Sequence, residues 1–251
     1  MRYHQNMAVS VARENYFWHK LHSLTGVVPV GYYLVQHLAL NSFSLAGADK
    51  FNGVIAFFHA MPLHVLLAIT ILFVWAPVLF HAVYGLFIAS RAMPNLSQSA
   101  YKFRENRYYT FQRISGVVIF FFLCYHVTAT SIASKVTGDK TIIQYDGWAD
   151  KLSAPVFGIP YFLLAVYVIG VTASSYHLAY GLWSFCIRWG ITISEQAQNT
   201  LWKFAKGAFV VVTLLGYMAL AGFFYSPFEK SEYASEPPVQ VRVEAPVVAV
   251  R

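Results

Sequence analysis

The sequence predicts an all-α integral membrane protein with five transmembrane helices. Hydrophobic residues make up 57% of its 251 residues and charged residues 12%, whereas soluble domains carry about 25% charged residues. Apolar runs without charge recur along the chain, and a transmembrane helix needs about 20 such residues. The net charge of +7 would suit nucleic acid, but the basic residues cluster in loops beside the apolar runs, which is typical of membrane proteins. No nucleic-acid partner is expected.

Five charge-free runs locate the predicted spans: Leu21–Ala48, Phe51–Ser90, Ile114–Ser134, Leu152–Ile187 and Gly207–Phe228. The second and fourth runs are too long for one upright helix. Pro62 and Pro160 suit the first turn of a helix. The sequence therefore predicts helices over roughly Pro62–Ala89 and Pro160–Ile187, each preceded by a segment that lies along the membrane surface.

The predicted spans divide the chain into three parts. Residues 1–20 lack the apolar stretch of a signal peptide and form an N-terminal lead-in. Residues 21–228 form the transmembrane domain. Residues 229–251 are rich in Pro and Val with mixed charge, so little fold of their own is expected. Cys124 and Cys186 form neither CxxC nor CxxCH, which excludes the usual cysteine-based cofactor attachment and metal-site spacing.

The distribution of Lys and Arg predicts the orientation. One membrane face receives the N-terminus and the loops at 91–113 and 188–206, with eleven basic and three acidic residues, while the other face has seven and eight. Because basic loops stay in the cytoplasm, the sequence predicts a cytoplasmic N-terminus and an external C-terminus. The basic loops are suited either to anionic lipid or to a docked partner protein.

Four of the nine histidines lie well inside the predicted spans, one on each of the first four helices: His37, His81, His126 and His177. With a helical rise of about 1.5 Å per residue, His81 and His177 lie roughly 15 Å above the cytoplasmic face, and His37 and His126 roughly 20–25 Å above it. Ionisable groups inside a membrane are costly and are usually functional. Two depth-matched pairs predict two planar cofactors stacked through a four-helix bundle, each held by two imidazoles.

Four glycines are spaced to face this bundle interior. Gly85 and Gly181 each follow a histidine of the lower pair by four residues, which places them on the same helix face. They are expected to let a flat macrocycle approach the backbone. Gly26 and Gly116 precede the histidines of the upper pair by eleven and ten residues, about three turns, and are expected to point toward the lower layer.

Several stretches resemble one family. LHSLTGVVPVGYYLVQHLALNSF, FHAVYGLFIA, QRISGVV and YGLWSFCIRWGITIS are similar to the dihaem cytochrome b subunit of succinate:menaquinone oxidoreductases and quinol:fumarate reductases, of the five-helix, single-anchor type. The resemblance covers nearly all of the chain before the tail. It implies two non-covalent haem b groups, a proximal one held by His81 and His177 and a distal one held by His37 and His126.

The resemblance also assigns residues at the cytoplasmic edge. It implies that His22, Ser23 and Arg188 contact the proximal haem propionates, with Arg113 as a looser candidate that could equally be an ordinary snorkelling arginine. Some relatives carry a glutamate two residues before the fourth-helix ligand, where this chain has Ser175. No Asp or Glu lies inside any predicted span, so a carboxylate path for protons across the membrane is not expected.

The function implied by the resemblance is electron transfer. The chain would pass electrons between menaquinone or menaquinol and the iron–sulfur subunit of a succinate dehydrogenase or fumarate reductase in the bacterial cytoplasmic membrane. The iron–sulfur and flavoprotein subunits would dock on the basic cytoplasmic face, and this chain itself would hold no succinate or fumarate active site. The direction of catalysis and the oligomeric state stay open, a dimer of heterotrimers included.

Two other hypotheses remain at this point. One is a dihaem quinol-oxidising cytochrome b of a nitrate reductase or formate dehydrogenase, against which the LHSLTGVVPVG and GLWSFCIRWGIT blocks argue. The other is a haem-free histidine-relay proton transporter, which the absence of intramembrane carboxylates disfavours.

A quinone site is expected beside the distal haem, toward the outer face. Two haems form a relay only if electrons must cross much of the bilayer. Asn52 and His59 are the polar groups closest to the expected depth, and a histidine can also exchange a proton. Each of the two could equally be a polar residue that faces interfacial water.

Overall fold

The computed structural model describes residues 16–91 and 104–224, and this part of the chain contains helices and no β-strand. The helices are α1 (residues 16–46), α2 (Ala48–His59), α3 (Leu63–Ser90), α4 (Glu105–Thr137), α5 (Tyr145–Ser153), α6 (Phe162–Arg188) and α7 (Glu195–Ala221). Most of the lead-in predicted over residues 1–20, the end of the last predicted span and the tail at 229–251 lie outside the described residues. Residues 16–20 of that lead-in are already helical and belong to α1.

Four of these helices, α3, α4, α6 and α7, are long and apolar enough to cross a membrane. Helix α1 spans 31 residues, about 46 Å at the usual rise, but it is more polar. Large apolar side chains point away from the protein, among them Leu72 and Val83, each 64% exposed, and Phe121, 67% exposed. Such a surface is suited to lipid rather than to water. The predicted all-α membrane fold is confirmed.

Helix α1 changes its hydrogen-bond pattern along its length. It is α-helical over residues 16–25, π-helical over Gly26–Gly31, α-helical again over Tyr32–Asn41 and a 3₁₀-helix over Ser42–Ala46. Pro29 lies inside the π-helical turn. Because proline has no N–H to donate, the local shift to a wider turn lets the helix continue through it.

The two predicted proline boundaries are close to the observed helix starts. Pro62 is the N-cap residue of α3, which begins at Leu63. Tyr161, with φ of 57°, adopts the left-handed conformation between Pro160 and the first residue of α6. Each helix therefore begins one or two residues later than the sequence predicts. Helix α2 occupies most of the segment before Pro62 that the sequence assigns to the membrane surface, whereas α5 lies ahead of the corresponding segment before Pro160 and overlaps it only at Leu152 and Ser153.

Helix α7 begins well before its predicted span. Its first residue is Glu195, twelve residues ahead of Gly207. The hydroxyl of Ser194 accepts the N–H of Ala197 at 3.2 Å, which satisfies one of the free donors of the first turn. The charge-free run marks only the apolar part of a helix that extends further.

The four histidine-bearing helices close into a ring. Helix α1 packs against α3 and α6, and α4 packs against the same two helices. Helix α7 lies outside the ring against α6 and α1. Neighbours within the ring are antiparallel, as the contact between Ser23 at the start of α1 and Trp189 just after α6 illustrates, with the indole N–H donating to the hydroxyl at 3.1 Å.

One end of the ring is covered by α2, α5 and the last turn of α7, and we name it the capped end. The opposite end, with the start of α1 and the end of α6, is the open end. The side chains that form the buried core of the capped end are Phe51, Tyr145, Trp148, Leu152, Tyr167 and Phe223. Most of the buried aromatic and large aliphatic side chains of the described residues therefore lie where the short helices meet the ring.

Three hydrogen bonds fasten the capped end. Ser44 donates its hydroxyl to the Ala219 carbonyl at 2.7 Å, and Tyr145 donates its hydroxyl to the Gly222 carbonyl at 2.7 Å. The Asn52 side-chain oxygen accepts the Tyr145 N–H at 3.0 Å. These bonds join α1 and α5 to the end of α7, and α2 to α5.

The Ser44 bond should contribute measurably to stability. Ser44 is fully buried, so Ser44→Ala should cost about 1 kcal/mol and lower the unfolding midpoint by roughly 2–4 °C. Circular dichroism in detergent measures this. Ser42→Ala is the matched control, because the Ser42 hydroxyl bonds only within its own helix, to the Ala39 carbonyl. Equal shifts in the two variants would contradict a special role for the Ser44 bond.

Candidate functional site

His81 on α3 and His177 on α6 face each other across the ring, toward the open end. Their ring centres are 6.0 Å apart and their planes are perpendicular, at 90°. The helices that carry them lie diagonally opposite each other in the ring, since α3 and α6 each pack on α1 and α4. This is the lower pair that the sequence predicts.

The Nδ1 atom of each of these imidazoles contacts a backbone carbonyl on an adjacent helix. His81 Nδ1 lies 2.9 Å from the His22 carbonyl, and His177 Nδ1 lies 3.0 Å from the Gln112 carbonyl. A carbonyl only accepts, so Nδ1 carries the hydrogen in both rings and Nε2 keeps its lone pair. An imidazole held in this way by a carbonyl is the usual arrangement of a metal-ligating histidine.

Gln112 and Ser115 complete the surroundings of His177. The Gln112 amide donates to the His177 carbonyl at 2.8 Å, the reverse of the bond above. The Ser115 hydroxyl lies 3.2 Å from His177 Nδ1. Helices α4 and α6 are therefore joined at this level by a reciprocal pair of bonds.

His37 on α1 and His126 on α4 form the second pair, toward the capped end. Their ring centres are 5.9 Å apart, with planes at 81°. His126 Nδ1 lies 3.1 Å from the Tyr167 hydroxyl on α6. These helices are again diagonal across the ring, and the Nδ1 partner again comes from an adjacent helix.

Aromatic rings surround the pair nearer the capped end. Phe122 and Trp148 lie nearly parallel to the His126 ring, at 5.7 Å and 6.2 Å between centres. Tyr33 lies over His37 at 5.5 Å. Because Trp148 belongs to α5, the cap reaches down to the imidazole and shields it from water.

The spacing between the two layers can be read along two helices. His126 follows Ser115, the contact of His177, by eleven residues on α4, and His37 follows Gly26, the contact of His81, by eleven on α1. Both give about 16 Å, more than the difference of 5–10 Å implied by the sequence. Both helices begin before Lys20 and Arg113. These two residues therefore lie above the start of their helices, and counting from them underestimates the heights of His37 and His126.

Gly26 and Gly116 face the lower pair, as the sequence predicts. A methyl group at Gly26 would overlap the His81 ring, and one at Gly116 would approach the His177 ring to 3.0 Å. Gly85 and Gly181 have different neighbours from those expected: a side chain there would meet His22 at 3.1 Å and Gln112 at 3.1 Å, respectively. Their missing side chains make room for these two residues.

The geometry of the pairs fits a metal held between two imidazoles. Metal–nitrogen bonds to histidine are about 2 Å long, so two rings on opposite sides of one metal have centres about 6 Å apart. Two imidazoles are too few for a structural zinc, and no three His, Cys, Asp or Glu side chains converge within residues 16–91 and 104–224. The pairs suit a haem iron, whose other four ligands belong to the macrocycle.

The residues assigned to the cytoplasmic edge lie near the open end. The His22 ring stacks on His81 at 4.0 Å with only 10° between planes. Ser23 donates to the Lys20 carbonyl at 2.9 Å, and Arg188 is the exposed last residue of α6. Arg113 packs on its own helix, with its guanidinium 4.2 Å from the centre of the Tyr109 ring, as expected of a snorkelling arginine.

Helix α2 carries the two residues assigned to quinone. Asn52 faces α5, where its oxygen accepts the Tyr145 N–H, and His59 is exposed at the last residue of the helix. An open groove of about 560 Å³ lies between α1 and α2. Its lining includes Gln36, next to His37 in sequence, with Asp49, Lys50 and Gly53.

Sequence reasoning missed the groups that hold the imidazoles: Gln112, Ser115, Trp148 and Tyr167. Gln112 and Ser115 could have been found, because Gln112 precedes Gly116 by four residues and Ser115 follows Gln112 by three, spacings that place side chains on one face of a helix. Trp148 and Tyr167 could not have been found, because they lie on different helices from His126 and no sequence spacing connects them to it.

The fold and site define an integral membrane helical bundle with two layers of paired, half-buried histidines. Comparison with known proteins identifies its family. The chain belongs to the succinate dehydrogenase/fumarate reductase transmembrane subunit family, whose model matches residues 95–216. It is 36% identical over 211 residues to the succinate dehydrogenase cytochrome b558 subunit of Bacillus subtilis (strain 168), covering 84% of this chain and 98% of that relative. This membership confirms the resemblance and excludes the nitrate reductase, formate dehydrogenase and proton-transporter hypotheses.

Gly26 tests how closely the lower pair is packed. Gly26→Ala should displace the His81 ring and cost about 1–3 kcal/mol, as overpacking does. Gly207→Ala is the control, since no atom lies within 4 Å of the added methyl and alanine favours a helix by up to about 1 kcal/mol. Thermal unfolding in detergent measures both, and a neutral Gly26→Ala would show that the ring has room to move.

Proposed function

We propose that this chain transfers electrons between membrane menaquinone and the iron–sulfur subunit of a succinate dehydrogenase or fumarate reductase complex, through two haem b groups. His81 and His177 hold the proximal haem, and His37 and His126 hold the distal haem. The chain itself is a transfer module, and the chemistry of succinate and fumarate belongs to its partners.

One observation carries this proposal. Two imidazole pairs with ring centres about 6 Å apart lie in separate layers of one four-helix ring, and three of the four rings have a bonded Nδ1. A proton relay would need donors and acceptors that continue from one layer to the next. Isolated facing pairs suit two separate metal centres instead.

The family and the charge distribution support the proposed partners and orientation. A transmembrane subunit of this family anchors iron–sulfur and flavoprotein subunits, and the eleven basic residues predicted on one face favour docking there, on the cytoplasmic side. The open end is then cytoplasmic and the capped end is external. Assembly as a dimer of heterotrimers is compatible with this arrangement.

The haem supplies a redox-active iron, and the chain sets its surroundings. The Nδ1 bonds orient the imidazoles and keep Nε2 available. The aromatic side chains around His126 exclude water from the distal layer. At the cytoplasmic edge, His22, Ser23 and Arg188 are the candidates to contact the proximal propionates, where a guanidinium forms a paired contact with a carboxylate. Arg113 is a weaker candidate, because it packs against Tyr109.

The quinone site lies at the capped end, beside the distal haem. The groove between α1 and α2 is open at the protein surface, so a quinone would enter it from the membrane, and it offers Gln36, Asp49 and Lys50 as polar groups. Asn52 and His59 lie on α2, which forms one wall of this groove, and both are candidates to hydrogen-bond the quinone headgroup. Asn52 would do so through its amide N–H, because its oxygen is bonded to α5.

Histidine substitutions test the haem assignment. His81→Ala and His177→Ala should each remove one and the same haem, and His37→Ala and His126→Ala the other, so that each variant retains one of two. A pyridine haemochrome assay counts the haems, and a redox titration identifies the component lost. The assignment fails if the wild-type protein binds fewer than two, or if His37→Ala and His81→Ala lose the same component.

Filling the groove tests the quinone site. A Cβ added at Gly53 meets no atom within 4 Å, and Gly53 lines the groove, so Gly53→Leu should fold normally, occupy the groove and raise the KM for quinone severalfold while both haem spectra stay unchanged. Gly207→Leu, also in open space, is the matched control. An unchanged KM in Gly53→Leu would exclude the groove.

Turnover should be electrogenic. Ser175 stands where some relatives carry a glutamate that is thought to carry protons across the membrane. Without that carboxylate, protons exchanged with quinone at the external face have no carboxylate path across the membrane. Complex reconstituted in tight liposomes should generate a quinone-dependent membrane potential that an uncoupler collapses. Turnover without any potential, and indifferent to the uncoupler, would contradict either the external quinone site or the missing proton path.

A further inference from the structure

Lys151 on α5 is a cation near the distal histidine pair that the proposed function leaves unused. Its ammonium donates to the Ala129 carbonyl on α4 at 3.0 Å. It also lies 4.9 Å from the centre of the Trp148 ring, which in turn lies 6.2 Å from His126. The side chain is only partly exposed.

The position of this ammonium relative to His126 can be read along α4. Ala129 follows His126 by three residues, which is about 4.5 Å along the helix axis. Lys151 therefore lies about one helical turn from the distal imidazole, on the side of the capped end. Its Nζ and the His126 ring both lie close to the Trp148 ring.

The charge of Lys151 is not balanced by any acidic side chain in the part of the chain that the structure describes. A carbonyl and a ring face take up only part of its capacity, because an ammonium has three hydrogens to donate. Burial lowers the pKa of the Lys151 amine. A partly buried cation is stabilised by an anion that shares its site.

A haem brings such an anion. Its two propionates are carboxylates, and an ionised carboxylate is expensive to bury unless it is paired or hydrogen-bonded. For the distal layer the nearer aqueous boundary is the capped end, because the cap reaches His126 through Trp148. Of the other lysines described near this end, Lys50, Lys135 and Lys140 are all exposed, whereas Lys151 is turned inward onto α4.

We propose that Lys151 binds a propionate of the distal haem and so anchors that haem to the cap. This inference rests on the proposed function, since it requires a haem between His37 and His126. The bond to Ala129 holds the side chain in place, and the remaining N–H groups of the ammonium would donate to the carboxylate. Lys151 then raises the reduction potential of the distal iron, because a nearby positive charge disfavours the more positive ferric state.

The test uses the complete complex with Lys151→Gln and Lys151→Arg. Gln removes the charge but can still donate a hydrogen bond, and Arg keeps the charge. The matched control is Lys140→Gln, which removes one exposed lysine from the same end. Optical redox titration reports the two haems separately, and the propionate-bending band in resonance Raman spectra reports contacts to the carboxylates.

We expect Lys151→Gln to lower the potential of the distal haem alone and to shift its propionate band, while Lys151→Arg and Lys140→Gln retain both wild-type values. Loss of the distal haem from Lys151→Gln but not from Lys151→Arg would also support the proposal. These measurements are made on protein depleted of quinone, so that a bond from Lys151 to quinone cannot produce the shift.

An unchanged distal potential and propionate band in Lys151→Gln would overturn the proposal. A raised KM for quinone as the only effect would also overturn it, and would assign Lys151 to the quinone instead. Wild-type protein with fewer than two haems would refute the proposed function itself, which separates that failure from a failure of the role given to Lys151.

Discussion

The structure depends on one repeated interaction, a half-buried imidazole that bonds through Nδ1 to the adjacent helix of the ring. His81 on α3 bonds to α1, His177 on α6 bonds to α4, and His126 on α4 bonds to α6. A polar ring in a membrane is costly unless it is hydrogen-bonded. Each bond therefore satisfies the histidine and joins two neighbouring helices, and it also turns the opposite edge of the imidazole toward the diagonal helix. The facing pairs follow from the same contacts that hold the ring together.

The two ends of the ring are stabilised differently. In lipid there is little hydrophobic force between helices, so packing and hydrogen bonds must hold them together. The capped end lies near water, where α2 and α5 can bury aromatic side chains such as Tyr145 and Trp148 in an ordinary core. The open end has fewer buried apolar groups among the described residues, and its helices are joined by polar contacts such as that of Trp189 with Ser23. This division suits an open end that a partner subunit covers.

Much of the fold could be predicted because the membrane imposes strong and local rules. Charge-free length located the spans, and Pro62 and Pro160 located two helix starts to within two residues. The pairing of histidines could be predicted from their depth in the membrane, because depth is a position along one axis and can be counted in residues along each helix. The early start of α7 at Glu195 was missed because helices extend beyond their apolar part. Tyr167 and Trp148 could not be predicted, since their proximity to His126 depends on the rotation of helices about their axes, and a single sequence does not contain that rotation.

The diagonal arrangement also explains why the fifth long helix carries no histidine within its described length. A ring of four helices has two diagonals, and each diagonal is used once, at a different depth. Helix α7 packs outside on α6 and α1, so an imidazole on it would face lipid or an existing helix rather than the ring interior. What α7 supplies instead are backbone carbonyls at its end, of Ala219 and Gly222, to which Ser44 and Tyr145 bond. It thereby fixes the cap over the distal pair, and the position of Trp148 and Lys151 above His126 depends on that attachment.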